Sequence, residues 1–181
     1  YDPTNSVERA SRFIFLNKTC FNGLYRVNKS GQFNVPHGKY KSPKICDTDN
    51  LLAISELLDG VNLKQHDIKN GYSDAKTKDL IYLDPPFYPI SKTADFTSYT
   101  SNKFLHKEQL DLKWLIDDLT KQKIYVMLSN SDHPWIVGAY QASNYNVQFI
   151  QARRSLSSTV KSRGQINELV ITNYHLVDSN L

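Results

Sequence analysis

Hydrophobic and polar positions recur along this chain with two different periods, and the changes of period mark its elements. After Asn5 or Ser6, either able to cap a helix, Val7, Ala10, Phe13 and Ile14 recur at near-helical spacing, which predicts a helix to about Lys18 with Phe13 and Phe15 in its core. A short helix is predicted over 51–58, with Asp49 or Asn50 as its cap. "VNLKQHDI" (61–68) alternates and reads as a strand, and "DLIYLDPP" reads as a buried strand ending at Asp84. "HKEQLDLKWLIDDLTKQ" places Leu110, Trp114, Leu115 and Leu119 on the apolar face of an amphipathic helix. A strand in "KIYVMLSN", a short helix in "PWIVGAYQAS", and strands in "NVQFIQARRS" and "NELVITNY" follow. Strands alternating with helices point to an α/β sheet with some parallel pairing.

One stretch fits neither period. "CFNGLYRVNKSGQFNVPHGKYKSPK" carries glycines, prolines, aromatic rings and repeated basic residues, and reads as an irregular, basic and aromatic segment. The basic residues Arg9, Arg12, Lys18, Arg26, Lys29, Lys39, Lys41 and Lys44 meet no acid between Glu8 and Asp47, and Arg153, Arg154, Lys161 and Arg163 form a second acid-free cluster. Such clusters serve either as solvated faces or as a footprint for an anionic partner.

The bulk numbers narrow the class. At 181 residues, 40% hydrophobic and 22% charged, the chain has an ordinary globular composition, with a net charge of +4. It contains no run of about 18 apolar residues, so no membrane span is expected. Cys20 and Cys46 lack C-x-x-C spacing, which argues against a disulfide framework and fits a reducing, cytoplasmic compartment. The five histidines are scattered, so no metal cluster is expected.

The chemistry concentrates in "LIYLDPPFYP" (80–89). Ligands of open α/β sheets bind beyond the carboxyl ends of the strands, where Asp84 falls. Pro85 and Pro86 hold the backbone extended and remove two N–H donors, while their carbonyl oxygens remain acceptors. Asp84 and the Pro85 carbonyl therefore offer two acceptors beside the Phe87 ring. That set suits an exocyclic amine on a flat heterocycle, whose conjugated lone pair becomes available when both N–H groups are pulled. Phe87 would stack on such a base once it has left the helix. A rigid turn with Asp84 satisfied by local N–H groups is the competing reading.

"DPPF" resembles catalytic motif IV of the amino-group DNA methyltransferases. "RFIFLNKTCFNGLYRVNKSGQFNVPHGKYKSP" resembles the target-recognition segment of the Dam-type DNA adenine methyltransferases, "DPPFYPISKTADFTSY" their catalytic stretch, and "RRSLSS" and "INELVITNY" their last strands. The resemblance covers about residues 8–174. It implies a Rossmann-like, S-adenosylmethionine-dependent methyltransferase sheet of strand order 3-2-1-4-5-7-6, present here only in part. It divides the chain into a helical, loop-rich target-recognition segment (1–58) and a catalytic α/β portion (59–181). It also implies methyl transfer from S-adenosylmethionine to N6 of a flipped adenine in double-stranded DNA, commonly within GATC.

Carried onto this sequence, the resemblance implies catalysis at Asp84, Pro85, Pro86 and Phe87, and cofactor contacts from Asp84 and Asp67. Asp67 read alone is equally a solvated strand-end acid. DNA contacts are implied for Phe21, Asn22, Leu24, Arg26, Pro36 and Lys39, with Phe21 inserting at the extruded base and Arg26 reading a guanine. Arg153 and Arg154 are candidates for phosphates, 93–99 for a loop near the flipped base, and 155–164 for a loop near the backbone.

Two departures stand out. Phe87 replaces the tyrosine usual in Dam-type enzymes, which keeps stacking and drops a hydroxyl. The family's lysine- and glycine-containing opening and its F-x-G-x-G-type loop have no counterpart in the sequence, and the chain starts at Tyr1 rather than methionine. A missing N-terminal segment is the simplest expectation. It would leave the strand at 80–83 with an unpaired hydrophobic edge and the chain alone with weak cofactor binding and little or no activity. The competing functional class is a non-catalytic, sequence-specific DNA-binding module; a nuclease would need an acid pair with a nearby lysine, which the sequence does not show.

Overall fold

Asn5, the first of the two candidate caps, accepts the Glu8 N–H at 2.8 Å and starts α1 (Ser6–Thr19). The computed structural model describes residues 3–68, 70, 72–90, 104–153 and 165–175. They fall into two units, the first ending at Lys64 and the second beginning at Gln65.

In the first unit, α1 is followed by a single 3-10 turn over Phe21–Gly23. Asn22 and Gly23 sit at φ of 55° and 63°, a left-handed pair that glycine accepts without cost. The chain then folds back on itself through the isolated bridges Val27–Phe33 and Cys20–His37. The Asn28 side chain stiffens the tip by accepting the Ser30 and Gln32 N–H groups, each at 2.9 Å. Phe13 does not enter a core: it is 52% exposed, at 5.4 Å from the Tyr25 ring, which lies 5.8 Å from Phe33. Phe15 is likewise half exposed. A lone helix and a hairpin offer too little surface to bury both rings. The second helix, α2 (Thr48–Leu57), starts before the predicted Asp49 or Asn50; Asp47 holds its N-cap position and pairs with Lys44 at 2.6 Å.

The alternating segment 61–68 is not a strand. Alternation makes a strand only where a neighbouring chain completes the ladder, and no described strand lies beside it. Val61 and Leu63 are exposed, while Ile68 packs against the core of the second unit.

The second unit is mixed α/β. Its elements are β1 (Leu80–Leu83), α3 (His106–Lys121), β2 (Tyr125–Ser131), α4 (Pro134–Gln141), β3 (Asn146–Arg153) and β4 (Gln165–Thr172). They build a sheet of order β1-β2-β4-β3, with β1 parallel to β2 and the other two pairings antiparallel. Among the described residues β1 is an edge strand, and Leu80 and Tyr82, on the face opposite Leu83, are exposed.

One sheet face carries Leu83, Val126, Leu128, Leu169 and Ile171 into the core. Alpha-helix α3 covers it with Leu112, Leu115, Ile116 and Leu119, spaced at three and four residues. The predicted face holds at Leu115 and Leu119 but not at Leu110, which is half-buried, or Trp114, which is 65% exposed, whereas Gln109 is fully inside.

Candidate functional site

The apolar run 80–83 pairs with β2 in register, Leu83 opposite Leu128, and this fixes where the chain leaves the sheet. Asp84 emerges exposed at the carboxyl end of β1, next to a buried Pro85 and half-buried Pro86 and Phe87. Among the described residues nothing donates to the Asp84 carboxylate or to the Pro85 carbonyl.

The following residues are held tightly. Gln109 of α3 donates from Nε2 to the Pro86 carbonyl at 3.0 Å. Asn130 of β2 accepts the Tyr88 N–H at 3.0 Å, and its Nδ2 donates to Gln109 Oε1 at 3.1 Å. The Ser131 hydroxyl donates to the Tyr88 carbonyl at 2.6 Å. Gln109 and Asn130 are 1% and 0% exposed. Buried amides survive only when paired, and these two meet each other and the backbone of the motif. The extended Pro-Pro backbone is thereby fastened to both a strand and a helix. The sequence reading missed all three; a polar residue at a helix position flanked by buried leucines was the available signal for Gln109.

Tyr88 turns into an aromatic cluster, stacked on Trp135 at 5.3 Å and 4.6 Å from the His133 ring. His133 caps α4 by accepting the Trp135 N–H on Nδ1 at 3.1 Å. The Tyr88 ring after the motif is thus anchored, while Phe87 is half-buried.

Asp67 lies in an exposed coil, not at a strand end. Arg153 is the last residue of β3, its backbone paired with Gln165. Arg154 and the loops at 93–99 and 155–164 lie outside the described residues.

In the first unit, the short turn and hairpin gather the predicted DNA residues. The Phe21 N–H donates to the Pro36 carbonyl at 2.8 Å, and the Asn22 N–H to the Tyr40 hydroxyl at 3.1 Å. Asn17 donates to the Gly23 carbonyl at 2.7 Å. Phe21, Asn22, Arg26, Pro36 and Lys39 are exposed and Leu24 is half-buried. Gly38 crosses so close that an added Cβ would lie 2.7 Å from the Cys20 carbonyl oxygen. Arg26 donates to Asn34 twice, from Nε to Oδ1 at 2.8 Å and from Nη2 to the backbone carbonyl at 3.0 Å. Nearby, Arg9 and Arg12 line an open cleft with Phe13, Tyr25 and Phe33. The exposed Phe21, Asn22, Arg26 and Lys39 combine a ring, an amide and basic groups, the chemistry of a nucleic-acid interface. No described helix is long and apolar enough to cross a membrane.

The chain is 40% identical over 175 residues to the type II methyltransferase M1.LlaDCHI of Lactococcus lactis subsp. cremoris, covering 96% of this chain and 61% of that protein. It is 43% identical over 173 residues to the type II methyltransferase M.MjaIII of Methanocaldococcus jannaschii, covering 94% and 59%. It is 33% identical over 162 residues to the DNA adenine methylase of Escherichia coli, covering 90% and 57%. The chain therefore spans about three fifths of the length of these relatives. The family model for D12 class N6 adenine-specific DNA methyltransferases matches residues 1–156. With most of its length matched by that model, the chain belongs to the D12 class of N6 adenine-specific DNA methyltransferases.

Proposed function

We propose that this chain carries the target-recognition and catalytic parts of a DNA methyltransferase that methylates adenine N6 in GATC, with S-adenosylmethionine as donor. The observation that carries the reading is the pair of acceptors at the end of β1: an exposed Asp84 carboxylate and a Pro85 carbonyl that no described group occupies, on a backbone fixed by Gln109 and Asn130. The GATC target rests on the Dam-type resemblance, and the relatives' names carry no sequence.

The residues act by position and charge. Asp84 and the Pro85 carbonyl each accept one N–H of the adenine amino group, which draws its lone pair out of conjugation and aims it. The two prolines bring no N–H of their own to compete. Phe87 stacks on the extruded base. S-adenosylmethionine supplies an electrophilic methyl group on a sulfonium sulfur. A carboxylate suits that cation and its ammonium group, so Asp84 fits the donor's chemistry, with Asp67 as a second acceptor for its polar edge. Phe21 fills the space the base leaves, Arg26 reads guanine, and Lys39, Arg153 and Arg154 neutralise phosphates. Relative to a Rossmann-like methyltransferase sheet, β1, β2, β4 and β3 are strands 4, 5, 7 and 6.

Transfer of tritium from S-adenosylmethionine to a GATC duplex, against a GTTC control, tests the reading. The chain is assayed alone and together with whatever flanking sequence its gene encodes. Label on GATC that Asp84→Ala abolishes supports it. Duplex binding without label in either form, unchanged by Asp84→Ala, replaces it with the DNA-binding module.

A further inference from the structure

We propose that Asn34 is a positioning residue for base reading by Arg26, setting the guanidinium so that its end-on N–H pair faces outward. The inference rests on the proposed function, in which Arg26 meets a guanine. Arg26 and Asn34 face each other across the hairpin closed by the Val27–Phe33 bridge, and the Asn34 N–H donates to the Arg26 carbonyl at 3.1 Å. The side chain returns the contact, Nε to Oδ1 at 2.8 Å and Nη2 to the Asn34 carbonyl at 3.0 Å.

A guanidinium has five N–H groups in one plane. The two bonds to Asn34 use Nε–H and one Nη2–H, which share an edge. The adjacent edge, one Nη1–H beside the second Nη2–H, is left unused among the described residues. That parallel pair is the fork that spans O6 and N7 of guanine in the major groove. An arginine side chain free in solvent samples many rotamers, and binding must order it; here the hairpin has already done so. The base of the platform is firm, because Asn28 and Gln32 close the turn through backbone and side-chain bonds.

The chemical nature of the partner matters. An amide oxygen orients the guanidinium without neutralising it. A carboxylate at position 34 would orient it equally and cancel its charge. No acid pairs with Arg26 among the described residues, so its full positive charge remains for DNA.

The test is a double-mutant cycle on duplex binding by the full chain. Wild type, Arg26→Ala, Asn34→Ala and the double variant are measured on a GATC duplex and on one with the guanine replaced, at fixed salt. Circular dichroism and thermal unfolding check the fold of each. Asn34→Ala is expected to lower the specificity ratio about tenfold, the size of one lost bidentate contact, and to leave non-specific affinity within about twofold. In the Arg26→Ala background it should change nothing further. Asn34→Asp keeps the acceptor and should keep the ratio while weakening binding to every sequence and lowering the salt slope by about 1.

Independent, multiplying effects of the two alanine variants overturn the inference, as does an Asn34→Asp ratio that falls as far as that of Asn34→Ala. If Arg26→Ala lowers the ratio and Asn34→Ala does not, Asn34 has no positioning role and the proposed function stands. If Arg26→Ala leaves the ratio unchanged, or no variant binds the duplex, the reading of Arg26 fails and this inference with it.

Discussion

The side chain of Asn130, fully buried in β2, accepts the backbone N–H of Tyr88 at 3.0 Å. Through its other end it donates to Gln109, which holds the Pro86 carbonyl. Replacing Asn130 by alanine orphans the Tyr88 N–H and the Gln109 Oε1 at one stroke. Asn130→Ala should lower unfolding stability by about 2–4 kcal/mol, since each buried unsatisfied group costs roughly 1–3 kcal/mol. Urea titration measures it. A change below about 0.5 kcal/mol would mean the network does not hold the motif.

Asp84 is exposed and bonded to no described group, so its loss leaves packing intact. In whichever form of the protein transfers methyl groups, Asp84→Ala should cut the rate by roughly 100- to 1000-fold, the usual scale for one preorganised polar group at a reacting centre. Duplex affinity and melting temperature should hold. Phe87→Tyr, tested beside it, should retain transfer, because the stacking face is unchanged. Single-turnover label incorporation reads both.

Alkaline stability should report on α3 and α4. Burial, and secondarily the Asp117 carboxylate that accepts its hydroxyl at 2.7 Å, pushes the Tyr145 phenol up to about 12, and burial raises Tyr140 further. Above pH 10 the unfolded chain gives up these protons while the folded chain keeps them. The unfolded state then binds fewer protons, so stability is full below pH 10 and declines between about pH 10 and 12. Equilibrium unfolding across pH 8–11.5 checks this, and a flat profile contradicts it. Tyr140→Phe, which removes a buried hydroxyl with no partner among the described residues, should flatten the decline and raise stability at pH 8 by about 1 kcal/mol.

Gly38 is required by space. Its N–H donates to the Thr19 carbonyl at 2.8 Å, and a methyl group there would meet the Cys20 carbonyl oxygen and the Tyr40 ring. Gly38→Ala should destabilise the first unit by about 1–3 kcal/mol and weaken duplex binding with it. Calorimetry together with fluorescence anisotropy on a labelled GATC duplex would show whether the two losses track each other; an unaltered Kd would detach this loop from recognition.

Much of the architecture was legible in one dimension. The Asn5 cap, the run 80–83 and the helices near 106–121 and 134–141 are local features, each set by capping, periodicity or a proline within a few residues. The motif at 84–87 was legible for the same reason, because two prolines after an apolar run dictate an extended backbone whatever surrounds it. The gathering of Phe21, Asn22 and Pro36 depends on contacts between residues far apart in sequence, which no local period announces.

The sequence by itself determined which segments are helices, that Asp-Pro-Pro-Phe ends β1, and that an irregular, basic and aromatic segment follows the first helix. Only the tertiary structure decided that 61–68 is coil, that Trp114 faces outward while Ile116 faces the sheet, and that Gln109 and Asn130, 21 residues apart, meet behind Pro86 and Tyr88. The division has one cause. Local rules act through bonds between near neighbours, whereas the facing of a helix, the formation of a strand and the pairing of a buried amide each need a partner that the chain brings in from elsewhere.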